Sequence, residues 1–197
     1  MPRRQVVAMR AMSLLPTQRG TTMIEVLVTI VILAFGLLGL VGLQSRLQVS
    51  EMEAYQRSQA LILLEDMANR ISTNRNNAAS YVTGADNPVG TGNTCTVNTG
   101  SARQVQDRCE WSNALQGAAE LSGTSKVGAL IGGRGCVESL GSGEYLVTVA
   151  WQGMGPISAP PASVACGKDL YNGAANSACV NDRCRRALTT IVRIAGL

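Results

Sequence analysis

From Val26 to Ser45 the chain runs for 20 residues without a charge, "VLVTIVILAFGLLGLVGLQS", and the residue just before the run is Glu25. No other feature restricts the fold as strongly. A helix rises about 1.5 Å per residue, so the run reaches roughly 30 Å, the thickness of a bilayer's hydrocarbon core. It exceeds the apolar stretch of a secretory signal, about 7–15 residues, and no A-x-A-like site follows it. The segment reads as a membrane span with a carboxylate at its entrance. Such an acid is costly unless it has a partner or lies at the interface. Either it is incidental, or the segment exists to present it.

The charges around the run are uneven. Residues 1–20 carry Arg3, Arg4, Arg10 and Arg19 and no acid, with Pro16 interrupting them. That flank fits the cytoplasmic side of a span. Removing these four from the chain's 17 basic residues leaves 13 against 13 acidic residues. The remainder therefore exerts no net electrostatic pull on nucleic acid. Arg183, Arg185 and Arg186 form a local basic group, read as a solvated turn because it is shorter than the charge blocks that mark interaction tails.

After the run the pattern becomes amphipathic. Leu43, Leu47, Ser50, Ala54, Arg57, Leu61, Leu64, Ala68 and Ile71 follow at spacings of three or four, and no proline occurs between residues 17 and 87. This predicts one helix from about Met23 to Ile71, apolar all round in its first half and one-faced in its second. Gly36, Gly39 and Gly42 lie within it. Each costs about 1 kcal/mol of helix propensity relative to alanine, so the three form a weak point, suited to close helix packing or to local unwinding.

Residues 72–132 are rich in Asn, Thr, Ser, Gly and Ala. "STNRNNAAS" ends the helix, "TGADNPVGTGNTC" reads as turns, and a short helix is expected near "DRCEWSNALQGAAE". Three strands are predicted: "RGCVESL" (134–140), "EYLVTVAW" (144–151) and "RALTTIVRI" (186–194), the first two joined by the hairpin signal "GSG". Tyr145, Val147, Val149 and Trp151 share one face, as do Leu188, Val192 and Ile194 with Thr190 between them. The amphipathic helix could cover both faces.

All six cysteines, Cys95, Cys109, Cys136, Cys166, Cys179 and Cys184, follow the apolar run. None forms a C-x-x-C pair and the chain has no histidine, so no metal site is expected. An even cysteine count beyond a membrane span predicts disulfides in an oxidising compartment, with free buried thiols as the other reading. Cys95 and Cys109, 14 residues apart in a turn-rich stretch, are expected to pair, and the other four among themselves around the loop between the last two strands. Closing a loop of that first size is worth about 3 kcal/mol in the chain-entropy model.

Catalytic constellations are absent from the sequence. Without histidine there is no Ser-His or Cys-His pair, and no G-x-S-x-G, P-loop or G-x-G-x-x-G pattern occurs. "GGRG" (132–135) reads as a turn before a strand, the two lysines, Lys126 and Lys168, lack an apolar setting, and Glu65–Asp66 reads as a solvated pair on a helix. Neither an enzyme nor a cofactor is expected.

"RG" followed by "TTMIEVLVTIVILAFGLLGL" resembles the class III signal of type IV pilins and pseudopilins. The resemblance implies that a prepilin peptidase cleaves after Gly20 and methylates the new N-terminus at Thr21, with Glu25 as the glutamate at the fifth mature position. It extends through "EVLVTIVILAFGLLGLVGLQ" and the following helix. The chain is also similar to minor pilins of the PilV type, which end in a strand like "YLVTVAWQG" (145–153), a disulfide-bearing loop and a final strand. Two features depart from the pattern. The first mature residue is Thr21 where the family most often has Phe, a position that tolerates variation. The leader of 20 residues is long, and a start at Met12 would give the nine-residue "MSLLPTQRG".

The resemblance implies an α+β fold: a long N-terminal helix packed on a small antiparallel sheet with disulfide-stapled loops. It divides the chain into a leader (1–20), a transmembrane and assembly half-helix (21–45), an amphipathic half-helix (46–72) and a periplasmic domain (73–197). It also gives Glu25 a partner, the N-terminal amine of a neighbouring subunit. The implied role is initiation of type IV pilus assembly and part of a tip complex. Implied partners are other minor pilins, the major pilin, prepilin peptidase, an inner-membrane assembly platform and a tip adhesin. Its place would be the inner membrane of a Gram-negative bacterium, then the extracellular pilus. The rivals are a minor pseudopilin of a type II secretion system and a membrane-anchored periplasmic binding module, for example in DNA uptake. The mature N-terminal peptide should begin TTMIEV and carry one extra methyl group by mass spectrometry. A bulky residue at Gly20 should leave the precursor uncut, and an intact leader in cells with active peptidase would contradict the assignment.

Overall fold

The computed structural model describes residues 20–96, 98, 100–118, 121–123, 125–126 and 130–195. The leader residues 1–19, with their four arginines, and the side chain of Lys126 lie outside the described residues. The chain forms two compact units, Met1–Ser45 and Arg46–Leu197.

Helix α1 (Met23–Thr73) contributes to both units. In the first unit every described residue of the helix is exposed, as an all-round apolar surface without a protein neighbour must be. In the second unit the helix buries one face, through Gln56, Ala60, Leu64, Met67 and Ile71. This corrects the predicted stripe. Leu64 and Ile71 belong to it, but Leu47 and Leu61 are exposed at 52% and 47%, and Arg57 is exposed too. The stripe followed the apolar pattern, whereas the buried face passes through the polar Gln56, one residue round the helix.

Beyond α1 a 3-10 helix spans Arg75–Tyr81, the two-residue strand β1 is Val89–Gly90, and helix α2 is Arg103–Leu115. Two short strands, β2 (Leu121–Ser122) and β3 (Ser125–Lys126), form a separate hairpin. The main strands are β4 (Arg134–Gly141), β5 (Glu144–Gln152) and β6 (Arg185–Arg193). The main sheet is antiparallel in the order β1-β4-β5-β6. The hairpin between β4 and β5 turns through Gly141, Ser142 and Gly143, whose φ angles are 90°, 51° and 78°.

Tyr145 stands opposite Val192, Val147 opposite Thr190 and Val149 opposite Leu188. Val147, Val149, Trp151 and Val192 join Ala60, Leu64, Met67 and Ile71 of α1 in one core. Trp111 of α2 completes it, fully buried, and its indole N–H donates to the Leu63 carbonyl at 2.8 Å. That bond satisfies the one polar atom of a large apolar ring.

The three disulfides join Cys95 to Cys109, Cys136 to Cys166 and Cys179 to Cys184. The first ties the turn-rich stretch to α2. The second ties β4 to the long β5–β6 loop, and the third closes the end of that loop before β6.

Gly135 is where the sheet meets the indole. A Cβ there would lie 2.2 Å from Cη2 of Trp111, so Gly135→Ala must displace the ring or the strand. Overpacking of this kind costs about 1–3 kcal/mol. Thermal unfolding of the detergent-solubilised Gly135→Ala protein should start well below wild type, with altered tryptophan fluorescence. An unchanged melt would mean that Trp111 does not pack on β4 as described.

Candidate functional site

Gly20 and Thr21, the expected cleavage junction, lie before the first turn of α1 and are exposed. The Thr22 carbonyl accepts the N–H groups of Glu25 at 3.0 Å and Val26 at 3.3 Å. Glu25 thus sits in the first helical turn, where a carboxylate is favoured by the positive end of the helix dipole. Its side chain is exposed, and among the described residues no cation pairs with it. Around it Met23, Ile24 and Leu27 are 92%, 71% and 62% exposed. The helix runs through Gly36, Gly39 and Gly42, and a Cβ at any of the three would meet nothing within 4 Å. The glycines leave shallow places on an uncovered apolar surface.

In the second unit, two ion-pair clusters hold α1 to the domain. The Glu53 carboxylate accepts Arg186 Nη2 at 3.0 Å, Arg186 Nε at 3.2 Å and the Met154 N–H at 2.8 Å. Arg186 Nη2 also donates to the Gly155 carbonyl at 2.7 Å. Gly153 makes room for it, since a Cβ there would lie 2.4 Å from Arg186 Cζ. Next to it, Arg185 donates to the carbonyls of Val164 and Cys166 and pairs with Asp182 at 3.1 Å. Arg185 and Arg186 are buried, at 2% and 9% exposure. The solvated-turn reading is therefore wrong for both, and holds only for the exposed Arg183. Their guanidiniums are satisfied by carbonyls and acids distant in sequence, which charge patterning cannot reveal.

At the other end of the helix Arg70 pairs with Asp66 at 2.9 Å, Asp107 at 2.9 Å and Glu110 at 2.7 Å. The Tyr81 hydroxyl donates to Asp107 and accepts from Asn74. Asp66 is thus half-buried in a cluster, a correction to the solvated Glu65–Asp66 reading. The i,i+4 spacing of Asp66 and Arg70 was the available signal. Burial pulls the Arg70 guanidinium down, but hydrogen bonds to Glu110 and Asp66 outweigh it and raise it above its usual value. Burial raises the Tyr81 phenol, and Asp107 raises it further. None of these groups lines up as a nucleophile with a base, and among the described residues no acidic or cysteine cluster could hold a metal.

Residues 15–41 match the prokaryotic N-terminal methylation motif. Residues 42–110 match the family model of the type IV pilin Tt1218. Each match covers less than half of the chain, and together they make residues 15–110 similar to the N-terminal part of a type IV pilin. Its long N-terminal helix, four-stranded antiparallel sheet and disulfides are consistent with the type IV pilin fold. The two matches support a pilin or pseudopilin role, structural and not enzymatic, with other pilins and prepilin peptidase as the implied partners. The motif and the apolar helix together support membrane anchoring and entry into a pilus. No curated protein and no solved structure matches the chain.

Glu53 gives the domain a pH dependence. Burial acts to raise its carboxyl, but the Arg186 and Met154 hydrogen bonds prevail and hold it below the usual value. A carboxyl depressed in the fold stabilises it above the unfolded pKa, about 4.3, and that contribution is lost as the pH falls through the folded value. Glu53→Gln should lower stability by about 2 kcal/mol at pH 7, the worth of charge-assisted bonds. The deficit should begin to shrink below about pH 4.3, where the unfolded carboxyl takes up its proton, and go on shrinking as the pH falls through the lower folded value. Thermal melts of the two proteins at pH 7 and pH 3.5 check this. A deficit that does not shrink would assign the loss to shape and not to charge.

Proposed function

We propose that this protein is a minor pilin of a type IV pilus, cleaved between Gly20 and Thr21, methylated at Thr21, and used to start filament assembly and to build part of the tip. The observation that carries this reading is the pairing of a methylation-motif N-terminus with an apolar helix that its own chain leaves bare. Such a helix is stable in lipid before assembly and among other apolar helices afterwards. Glu25 gives the second environment its register. With water excluded between packed helices, a carboxylate requires a cation, and the amine freed at Thr21 of a neighbouring subunit supplies one. Leaving one partner of such a buried pair alone costs about 3–5 kcal/mol, enough to reject misplaced subunits.

The division of labour follows the chain. Residues 21–45 serve as anchor and assembly helix, and residues 46–72 dock on the domain of residues 73–197. Gly36, Gly39 and Gly42 permit close approach of neighbouring helices or local unwinding during packing. The same features would serve a pseudopilin of a type II secretion system, since a methylation-motif N-terminus on a bare apolar helix suits either machine. Loss of twitching with intact protein secretion in a deletion strain would favour the pilus.

Glu25→Gln keeps the shape and removes the charge. The variant should be cleaved normally and insert no worse, since an amide is easier to bury than a carboxylate. It should fail to co-purify with the other minor pilins in detergent and should reduce surface pilin in sheared fractions. Normal co-purification and normal piliation would show Glu25 to be an incidental interfacial acid.

A further inference from the structure

The two edges of the main sheet are treated differently. On one side β1 pairs with Arg134 and Gly135. Next to it the Val137 carbonyl accepts the N–H groups of Thr83 and Gly84, and the Val137 N–H donates to Thr83 Oγ1. On the other side no strand among the described residues pairs with the outer edge of β6. Its register fixes which atoms face outward. At the two ends of the β5–β6 ladder Ile194 N–H donates to the Gly143 carbonyl and Gly153 N–H to the Cys184 carbonyl. Between them the pairing runs without a shift from Glu144–Arg193 to Gln152–Arg185. Antiparallel bonds alternate along a strand. The even-numbered residues of β6 therefore bond to β5, and the main-chain groups of Ala187, Thr189, Ile191 and Arg193 point away from the sheet. Among the described residues no backbone group receives those N–H donors. The strand is nine residues long and lacks proline and a bulge, so the usual protections of an edge are missing apart from its arginines.

At its Arg185 end this edge adjoins a cavity of about 350 Å³, lined by Trp151, Ile157, Pro161 and Leu188 with Arg57 among its charged walls. The cavity is electrostatically one-sided. Glu53 is taken by Arg186 and Met154, while Arg57 has no ion pair among the described residues. The Trp151 indole N–H also lacks an acceptor. An apolar hollow beside free main-chain donors and acceptors, with a spare cation on its wall, is suited to an extended segment.

We propose that the outer edge of β6 accepts an extended segment of a different pilin subunit as a fifth strand, with an apolar side chain in the cavity and a carboxylate on Arg57. This rests on the pilin reading and adds a contact surface to it. Charge argues against a second copy of β6 as the occupant. Antiparallel self-pairing about Thr189 would set Arg185 opposite Arg193, and Arg185–Arg193 contains no acid for Arg57.

The test uses the full-length protein, expressed with the cell's own pilin subunits and extracted in detergent. Thr189→Pro removes an outward N–H and no ladder bond, because proline is tolerated where the N–H faces away from the sheet. Arg57→Glu reverses the spare cation. Thiol alkylation checks that both variants keep their disulfides. Each variant should reduce recovery of other pilin subunits roughly tenfold, and amide exchange at Ala187, Thr189 and Ile191 should slow by about tenfold or more in the complex. If cleaved wild type co-purifies with other pilins while those amides exchange as in the isolated protein, or if both variants recover partners normally, the strand site is wrong and the pilin reading stands. Recovery of second copies alone overturns the proposed occupant. An uncleaved leader with no co-purified pilin overturns both.

Discussion

An apolar helix that its own chain does not cover must be covered by something else. Residues 23–45 impose that constraint, since every one of them is exposed. Lipid meets the requirement for a single chain, and other helices meet it in a filament. Neither medium tolerates an unpartnered charge well, which makes Glu25 the one residue in the segment whose energy depends strongly on its neighbours. In the proposed role, the apolar residues make the segment interchangeable between environments, and the acid makes it selective about the second.

The domain solves a different problem, how to keep hold of one face of the amphipathic half-helix. Its apolar contribution is modest, with Ala60, Leu64, Met67 and Ile71 as the buried apolar side chains of α1. Polar clamps supplement it near both ends. Glu53 grips Arg186 beside the start of β6, and Arg70 gathers Asp66, Asp107 and Glu110. Trp111 bonds the Leu63 carbonyl between these clamps. Disulfides then hold what the small core leaves loose, since the long loop between β5 and β6 has little regular structure of its own. Arg185, buried against the carbonyls of Val164 and Cys166, organises the inside of that loop where Cys136–Cys166 and Cys179–Cys184 fasten it.

Much of this architecture is visible in local pattern. The long helix follows from an apolar run, an amphipathic continuation and the absence of proline. Strands β5 and β6 follow from alternation, and their paired faces, Tyr145 with Val192 and Val149 with Leu188, are those that the alternation implies. Long-range satisfaction is what local pattern cannot express. Glu53 and Arg186 are 133 residues apart, and nothing near either marks the other. Gln56 is fully buried and polar, so the true helix face looked like a flaw in the pattern and the stripe shifted to Arg57. The two-residue β1 is too short for any periodicity. Helix α2 starts at Arg103, earlier than expected, because its first turn is mostly polar and its one apolar residue, Val105, is exposed. At the N-terminus the opposite holds: the expectations for Gly20, Thr21 and Glu25 rest on a short contiguous motif, residues 15–41, which a sequence carries whole.

The central claim is that the mature chain leaves the membrane as part of a filament. Mass spectrometry of surface filaments sheared from intact cells tests it most directly. The account predicts the cleaved, methylated chain in the sheared fraction alongside the major pilin, and its disappearance from that fraction when filament assembly is blocked. Mature chain confined to the membrane fraction of cells that make abundant filaments would contradict it.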